Sequence, residues 1–82
     1  MATVTVYEMH TGWPVSSQQI SDDAGSDARR ALARRVADHK LPNRATWHGF
    51  RVVEAHGGGD ILATYPLSDL LTDEEREQGA KA

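Results

Sequence analysis

Three consecutive glycines at positions 57–59 constrain the fold of this chain more than any other feature of its sequence. Residues 46–56 (TWHGFRVVEAH) precede the glycines and residues 60–65 (DILATY) follow them. Both runs are rich in the β-branched and aromatic side chains that are typical of strands. Glycine adopts positive φ angles without a steric clash, so the three residues suit a tight turn. The pattern therefore predicts a β-hairpin with a loop of two or three residues.

A further strand is predicted near the N-terminus. Residues 3–9 (TVTVYEM) alternate with the period of two that characterises a strand with one buried face. Val4 and Val6 are expected to face the core. Residues 10–26 contain two glycines, a proline and mostly polar side chains, so we expect a long connection there.

One main helix is predicted over residues 27–40. Ser26 is a suitable N-cap, and the apolar positions of the segment form a narrow stripe of small side chains along one helical face. Pro42 ends the segment, because the residue before a proline is biased away from the helical region.

The C-terminal residues predict a second, short helix. Thr72 and Glu75 form a capping-box pattern, which favours a helix over residues 69–78. The sequence that follows has no apolar face. We therefore expect residues 1–72 to form a single domain and residues 73–82 to form a polar, mobile tail.

These elements predict a small α+β domain in the order strand, helix, strand, strand, short helix. A three-stranded sheet would carry the main helix on one face. The first strand would pair either with the second, through a right-handed crossover, or with the third in an antiparallel arrangement.

The second predicted strand is apolar on both of its faces. Phe50 and Val52 share one face, and Trp47, Val53 and Ala55 share the other. One helix covers only one face of a sheet, so a second cover is needed. The candidates for this cover are the loop around Trp13, the turn at Leu70 and Leu71, and another protein chain. Another chain is a candidate because so small a domain often needs association for stability.

Composition limits the class of protein. Of the 82 residues, 39% are hydrophobic and 26% are charged, which is enough for a small core. There is no cysteine, so disulfides and thiolate metal sites are excluded. No apolar run approaches the roughly 20 residues that span a bilayer, and the first ten residues do not resemble a signal peptide. We expect a cytoplasmic protein without a membrane partner.

The predicted main helix is rich in arginine. Residues 27–40 carry five basic and two acidic side chains, whereas the whole chain has a net charge of −3. Arginine suits phosphate contacts, but a domain that holds nucleic-acid backbones is usually basic throughout. We therefore expect a solvated or protein-facing helix. Nucleic-acid binding is the alternative, and it would use the four arginines of this helix, Arg29, Arg30, Arg34 and Arg35.

No catalytic or metal-binding pattern stands out. The four histidines, at positions 10, 39, 48 and 56, lack the spacing of a zinc site. The glycine run lacks the lysine of a phosphate-binding loop, and no serine lies in a nucleophile elbow. We expect no metal, no cofactor and no enzymatic activity.

The sequence thus predicts a small non-enzymatic module that docks to another protein or to its own copy. Tyr7, Trp13 and Trp47 would form an aromatic patch that anchors the partner. Arg30 and Arg34 would contribute the charge that steers the encounter. The alternative is a small nucleic-acid-binding accessory or regulatory protein.

Overall fold

The computed structural model describes residues 1–81, and side chains through residue 77. The order of elements is β1 (Ala2–Glu8), β2 (Pro14–Ile20), α1 (Ser26–Lys40), a first 3₁₀ helix (Arg44–Gly49), β3 (Phe50–Ala55), β4 (Ile61–Pro66), a second 3₁₀ helix (Leu67–Leu70) and α2 (Asp73–Lys81). No helix in the described part of the chain is long and apolar enough to cross a membrane. The predicted mobile tail at 73–82 lies partly outside the described residues, and its mobility stays a prediction.

The strands form one antiparallel sheet in the order β2-β1-β3-β4. The predicted α+β class, with an antiparallel sheet and a main helix, is confirmed. The prediction of three strands is wrong, because the described residues contain four. β1 consequently lies inside the sheet and hydrogen-bonds to strands on both sides.

The additional strand is β2, within the segment that the sequence predicted to be a connection. Gly12 has a φ of 75° in the turn after β1, a conformation that favours glycine, and Tyr7 then pairs with Pro14. β2 is an edge strand of mostly exposed polar residues, and only Val15 and Ile20 pack against the core. Its sequence therefore lacks the apolar alternation by which a strand is usually detected.

The β2 strand also determines how β1 meets β3. The chain returns along β2 before it enters α1, so β1 and β3 run antiparallel rather than through a parallel crossover. The predicted hairpin joins β3 to β4, and His56 donates its backbone N–H to the carbonyl oxygen of Asp60 at 2.7 Å. The three glycines form its loop, and Gly59 has a φ of 100°.

The core lies between α1 and one face of the sheet. Val6 pairs with Val52, which pairs with Tyr65, so these side chains line the same face. The buried apolar residues are Val4, Val6, Leu32, Ala33, Ala37, Trp47, Val52, Tyr65, Leu67 and Leu71. Alanines on the buried side of α1 allow the helix to approach the sheet closely.

Trp47 belongs to this core and not to a strand, contrary to the sequence prediction. Residues 44–49 form a 3₁₀ helix, capped by the side chain of Asn43, and the Trp47 indole is fully buried. Its Nε1 donates a hydrogen bond to the carbonyl oxygen of Leu41 at 2.8 Å. The indole N–H thus has the partner that a buried tryptophan needs.

The helix termini agree only partly with the predicted caps. Gly25, rather than Ser26, occupies the N-cap of α1, and no side chain caps this end. At α2 both bonds of the capping box are present. The N–H of Thr72 donates to Glu75 Oε1 at 3.0 Å, and the N–H of Glu75 donates to Thr72 Oγ1 at 3.2 Å.

The second face of the sheet has no covering element among the described residues. Leu70 and Leu71 pack on the core side, and Trp13 is 72% exposed, so neither predicted internal cover lies over this face. We call this surface the open face. Strand register and alternation assign to it Thr3, Thr5, Tyr7, Ser17, Gln19, Arg51, Val53, Ala55, Ile61 and Thr64.

Candidate protein-interaction surface

A concavity of about 400 Å³ lies on the open face. Three of its lining side chains, Tyr7, Arg51 and Val53, come from neighbouring strands. Tyr7 lies directly across from Arg51 in the β1–β3 register, and alternation puts Val53 on the same side. A register shift in the β3–β4 pair places Ile61 opposite Ala55. The other lining residues are Glu8, Met9 and Gly12, at the end of β1 and in the turn that follows.

Several of the apolar side chains at this concavity are accessible to water. Ile61 is 67% exposed and Met9 is 43% exposed. Trp13 follows Gly12 in the chain and is the most exposed large apolar residue of the described part. Aromatic residues, methionine and arginine are the types enriched in protein–protein interfaces, and the concavity with its adjoining turn contains all three.

Two charged residues of opposite sign, Arg51 and Glu8, line the concavity. The Arg51 side chain lies on the open face, whereas pairing with Phe50 and strand alternation turn the Glu8 side chain to the α1 side of the sheet. Arg51 is exposed and Glu8 is partly buried. Within the described residues, neither side chain forms a hydrogen bond or an ion pair. On the open face, the guanidinium of Arg51 is therefore free to meet groups on another molecule.

The arginines of α1 lie on the opposite side of the sheet. Arg29 donates from Nε to Glu54 Oε1 at 2.6 Å and from Nη1 to the carbonyl oxygen of Ala24 at 2.8 Å. The guanidinium of Arg30 stacks over the ring of Tyr65, 4.4 Å from its centroid. These two side chains therefore bind the helix to the sheet.

Arg34 connects α1 to the C-terminal segment. Its two terminal nitrogens each donate to a carboxylate oxygen of Glu75 at 2.8 Å, and its Nε donates to Asp38 at 3.3 Å. The bidentate bond from Arg34 and the backbone N–H of Thr72 hold the pKa of Glu75 well below its usual range. Glu75 in turn raises the pKa of Arg34.

Arg44 completes the same ion-pair cluster. It binds Asp38 and donates from Nε to Glu75 at 2.9 Å, and its guanidinium lies 4.9 Å from the Trp47 ring centroid, as does that of Arg34. Of the four arginines in α1, Arg35 is the one that has no such partner in the described part of the chain. The other three are committed to contacts within the fold.

A buried carboxylate, Glu54, lies between the sheet and α1. It is 1% exposed and accepts hydrogen bonds from Arg29 Nε and from the hydroxyl of Tyr65, the latter at 2.5 Å. The pKa of the Tyr65 hydroxyl is raised mainly by burial and secondly by this hydrogen bond to Glu54. Both oxygens of Glu54 are satisfied by the protein itself, which assigns this group to the fold rather than to a ligand.

The four histidines do not converge. The Nε2 atom of His56 lies 3.8 Å from Oδ1 of Asp22. Its Nδ1 atom accepts a hydrogen bond from the backbone N–H of Gly58 in the hairpin loop. Among the described residues, no group of three His, Cys, Asp or Glu side chains could hold a metal ion.

The structure separates the five residues that were predicted to bind a partner. Tyr7 lines the concavity, and Trp13 is exposed in the adjoining turn. Trp47 is buried in the core, while Arg30 and Arg34 lie on the α1 side of the sheet, in contacts with Tyr65 and with Glu75. These three cannot share one surface with the concavity.

Sequence reasoning missed most of the residues that line the concavity. Strand alternation could have found Arg51 and Val53, because they alternate with the buried Val52 and Glu54. Met9 gave no comparable signal, since its position depends on the turn between β1 and β2.

Comparisons with known proteins add no family to this description. No protein-family model matches the chain, no curated protein matches it, and no solved structure matches it. The function is therefore inferred from the geometry of the surface alone.

Proposed function

We propose that this chain is a small, non-enzymatic protein-interaction module that docks through the open face. The observation that supports the proposal is the concavity on the open face, where exposed apolar side chains lie beside Arg51, which has no ion-pair partner among the described residues. One face of an antiparallel sheet is often solvated, but such a face usually alternates to polar side chains throughout. Here Tyr7, Val53 and Ile61 interrupt the polar pattern.

The distribution of charge supports the same surface. Among the described residues that we assign to the open face, Arg51 is the one with a formal charge, and the others have hydroxyl, amide or apolar side chains. Depletion of charged residues is the compositional mark of an interface centre. On the other side of the sheet, carboxylates within the chain neutralise Arg29 and Arg34.

Photo-crosslinking from one residue on each side of the molecule tests the proposal. A photoreactive amino acid replaces Thr64 on β4 in one variant and Arg35 on α1 in the other, and both positions are exposed. We expect a discrete protein adduct from position 64, identified by mass spectrometry, and none from position 35. The change Arg51→Glu should abolish the adduct because it alters the centre of the open face.

Two results would overturn the proposal. One is the absence of adducts at position 64, and the other is an adduct only at position 35. A nuclease-sensitive adduct at position 35 would support nucleic-acid binding through α1 instead. That binding should also weaken steeply with salt, with a log–log slope of about −0.9 for each phosphate contact.

A further inference from the structure

We propose that the partner at the open face is an amphipathic helix of another protein, and that one acidic residue in its apolar stripe pairs with Arg51. This inference rests on the proposed function, and it names the chemistry of the docking partner. The backbone of the sheet, the charge of Arg51 and the character of this chain's own helices each select part of that chemistry.

The backbone beneath the concavity is directed to neighbouring strands. β1 pairs with β2 and β3, and β3 pairs with β1 and β4, so the N–H and C=O groups of these two strands bond within the sheet. A segment that lies over them contacts side chains, and it must satisfy its own backbone groups. An α-helix does so through its internal hydrogen bonds. A helix on the open face would therefore form a second layer, as α1 does on the other face.

Arg51 requires the partner to supply a negative charge. Its cross-strand neighbours are Tyr7 and Pro66, and neither is charged. Its side chain forms no hydrogen bond or ion pair in the described part of the chain. A purely apolar partner would bury this cation without a counter-ion, which is costly. A carboxylate offsets that cost because it can accept two N–H bonds from one guanidinium.

A single arginine favours a carboxylate over a phosphate group. Phosphate-bearing ligands are generally held by several basic side chains. Among the described residues that we assign to the open face, Arg51 is the one basic residue, and Tyr7, Val53 and Ile61 lie with it in the concavity. The surface therefore suits one carboxylate set among apolar side chains.

The spacing of these side chains fits a helix that runs along the strands. Arg51 and Val53 are two residues apart in β3, a separation of about 7 Å. Residues at i and i+3 or i+4 lie about 5–6 Å apart on one face of a helix. An acidic residue over Arg51 would thus place the apolar residue of the next turn over Val53.

The helices of this chain do not have the required character, so the helix belongs to another protein. The apolar side chains of α1, such as Leu32 and Ala37, are buried in the core. Residues 73–77, the part of α2 whose side chains are described, are all charged. A second copy would therefore present neither helix as an apolar stripe.

Selection from a library of displayed peptides tests this chemistry. Each peptide is a helix of about five turns, with a constant outer face of alanine, glutamine and lysine and with one stripe of randomised positions. The original chain and Arg51→Glu serve as separate baits. We expect the original chain to select an apolar stripe that contains one Asp or Glu. Arg51→Glu should select Lys or Arg at that position instead.

A charge-swap cycle measures the contact itself. One selected peptide carries a fluorescent label, and a second version has lysine in place of its acidic residue. By fluorescence anisotropy, the lysine peptide should bind the original chain at least about tenfold more weakly than the acidic peptide does. This comparison needs no variant of the chain. With Arg51→Glu the order should reverse, because the lysine peptide then meets an opposite charge.

Two further variants serve as controls. Arg35→Glu makes the same charge change on the α1 side and should leave the affinity for both peptides unchanged. Ile61→Ser removes an exposed apolar side chain from the concavity and should weaken the binding of both peptides. Arg35, Arg51 and Ile61 are exposed, so all three variants should keep the original circular dichroism spectrum.

The possible failures are distinguishable. The inference is overturned if the selected peptides share no acidic position, if both baits select the same peptides, or if no helical peptide binds. If position 64 then crosslinks to a segment of another kind, or to a second copy of this chain, the proposed docking stands and the chemistry of its partner was wrong. If no peptide binds and position 64 yields no adduct, both proposals fail.

Discussion

Glu54 is a carboxylate inside a small core, and its partners decide whether it stabilises the fold. A buried charge is costly unless it is paired and hydrogen-bonded. Arg29 supplies the charge and Tyr65 supplies a second hydrogen bond, so both carboxylate oxygens are satisfied. Among the described residues, no buried side-chain nitrogen or oxygen lacks a partner. The network links β3, β4 and α1 at one point.

Removal of the Arg29 side chain should therefore destabilise the fold far more than removal of another arginine of the same helix. We expect Arg29→Met to lower the free energy of unfolding by about 3 kcal/mol, because Glu54 is then buried without a counter-ion. The control, Arg35→Met, should change it by less than about 0.5 kcal/mol, since Arg35 is exposed. Urea denaturation measures both values.

The double variant Arg29→Met, Glu54→Leu tests the cause of that loss. It removes the unpaired charge along with the arginine, and it should recover a large part of the lost stability. If Arg29→Met proves as stable as Arg35→Met, the ion pair with Glu54 does not contribute to the fold in this way.

At the scale of elements, a single carboxylate joins the C-terminal helix to the rest of the fold. Glu75 binds Arg34 of α1 and Arg44 of the first 3₁₀ helix, and it also receives the N–H of Thr72. The first turn of α2 is therefore attached to two distant segments. The polar sequence after residue 72 gave no indication of this attachment, because it has no apolar face.

Acidification should weaken this attachment. Because the pKa of Glu75 is lower in the folded chain than in the unfolded chain, its ion pairs contribute fully above about pH 4.5 and are lost as the pH falls further. Glu75→Gln keeps a capping-box residue and removes the charge. It should lower the free energy of unfolding by about 1 kcal/mol at pH 7.

Thermal unfolding from pH 7 to pH 3 measures the difference between the original chain and Glu75→Gln. The difference in melting temperature between the two chains should become smaller as the pH falls below about 4.5, because Glu75 then loses its charge in the original chain. The effects of the other acidic residues are common to both chains and cancel in this comparison. A gap that stays constant down to pH 3 would show that the charge of Glu75 contributes nothing.

The elements that the sequence predicted correctly are those with a strong local signal. The helical period of residues 27–40 and the glycine run at 57–59 predicted α1 and the β3–β4 hairpin. β2 gave no such signal, because an edge strand exposed to water needs few apolar residues. The missing strand also left the pairing of β1 undetermined.

The candidate site was harder to predict than the fold, because it depends on register. Trp47 was assigned to a strand face, yet the strand begins only at Phe50 and the indole belongs to the core. Arg51 lies opposite Tyr7 through pairing between segments more than 40 residues apart in the chain. Tyr7 and Trp13 were recognised as candidate contacts from residue type alone.

At the scale of the whole molecule, the two tryptophans allow the stability of the fold and the proposed docking to be tested separately. Trp47 is fully buried and Trp13 is 72% exposed. Trp47→Ala should lower the free energy of unfolding by about 3–5 kcal/mol because it empties a large volume in the core. Trp13→Ala should change it by less than about 0.5 kcal/mol. It should weaken the proposed docking and so lower the yield of the photo-crosslinked adduct from position 64.

Chemical denaturation measures the free energy of unfolding of both variants, and photo-crosslinking from position 64 measures their docking independently. A loss of stability in Trp13→Ala as large as that in Trp47→Ala would assign Trp13 to the core. An unchanged adduct yield in Trp13→Ala would exclude the β1–β2 turn from the docking surface.

The alternation of side chains along β1 and β3 has a consequence for how this protein can diverge. Even-numbered positions such as Val4 and Val52 are constrained by packing against α1. Odd-numbered positions such as Tyr7 and Val53 lie on the open face and are free of that constraint. Substitutions at the odd-numbered positions can therefore change the surface that the sheet presents to solvent while the packing against α1 stays the same.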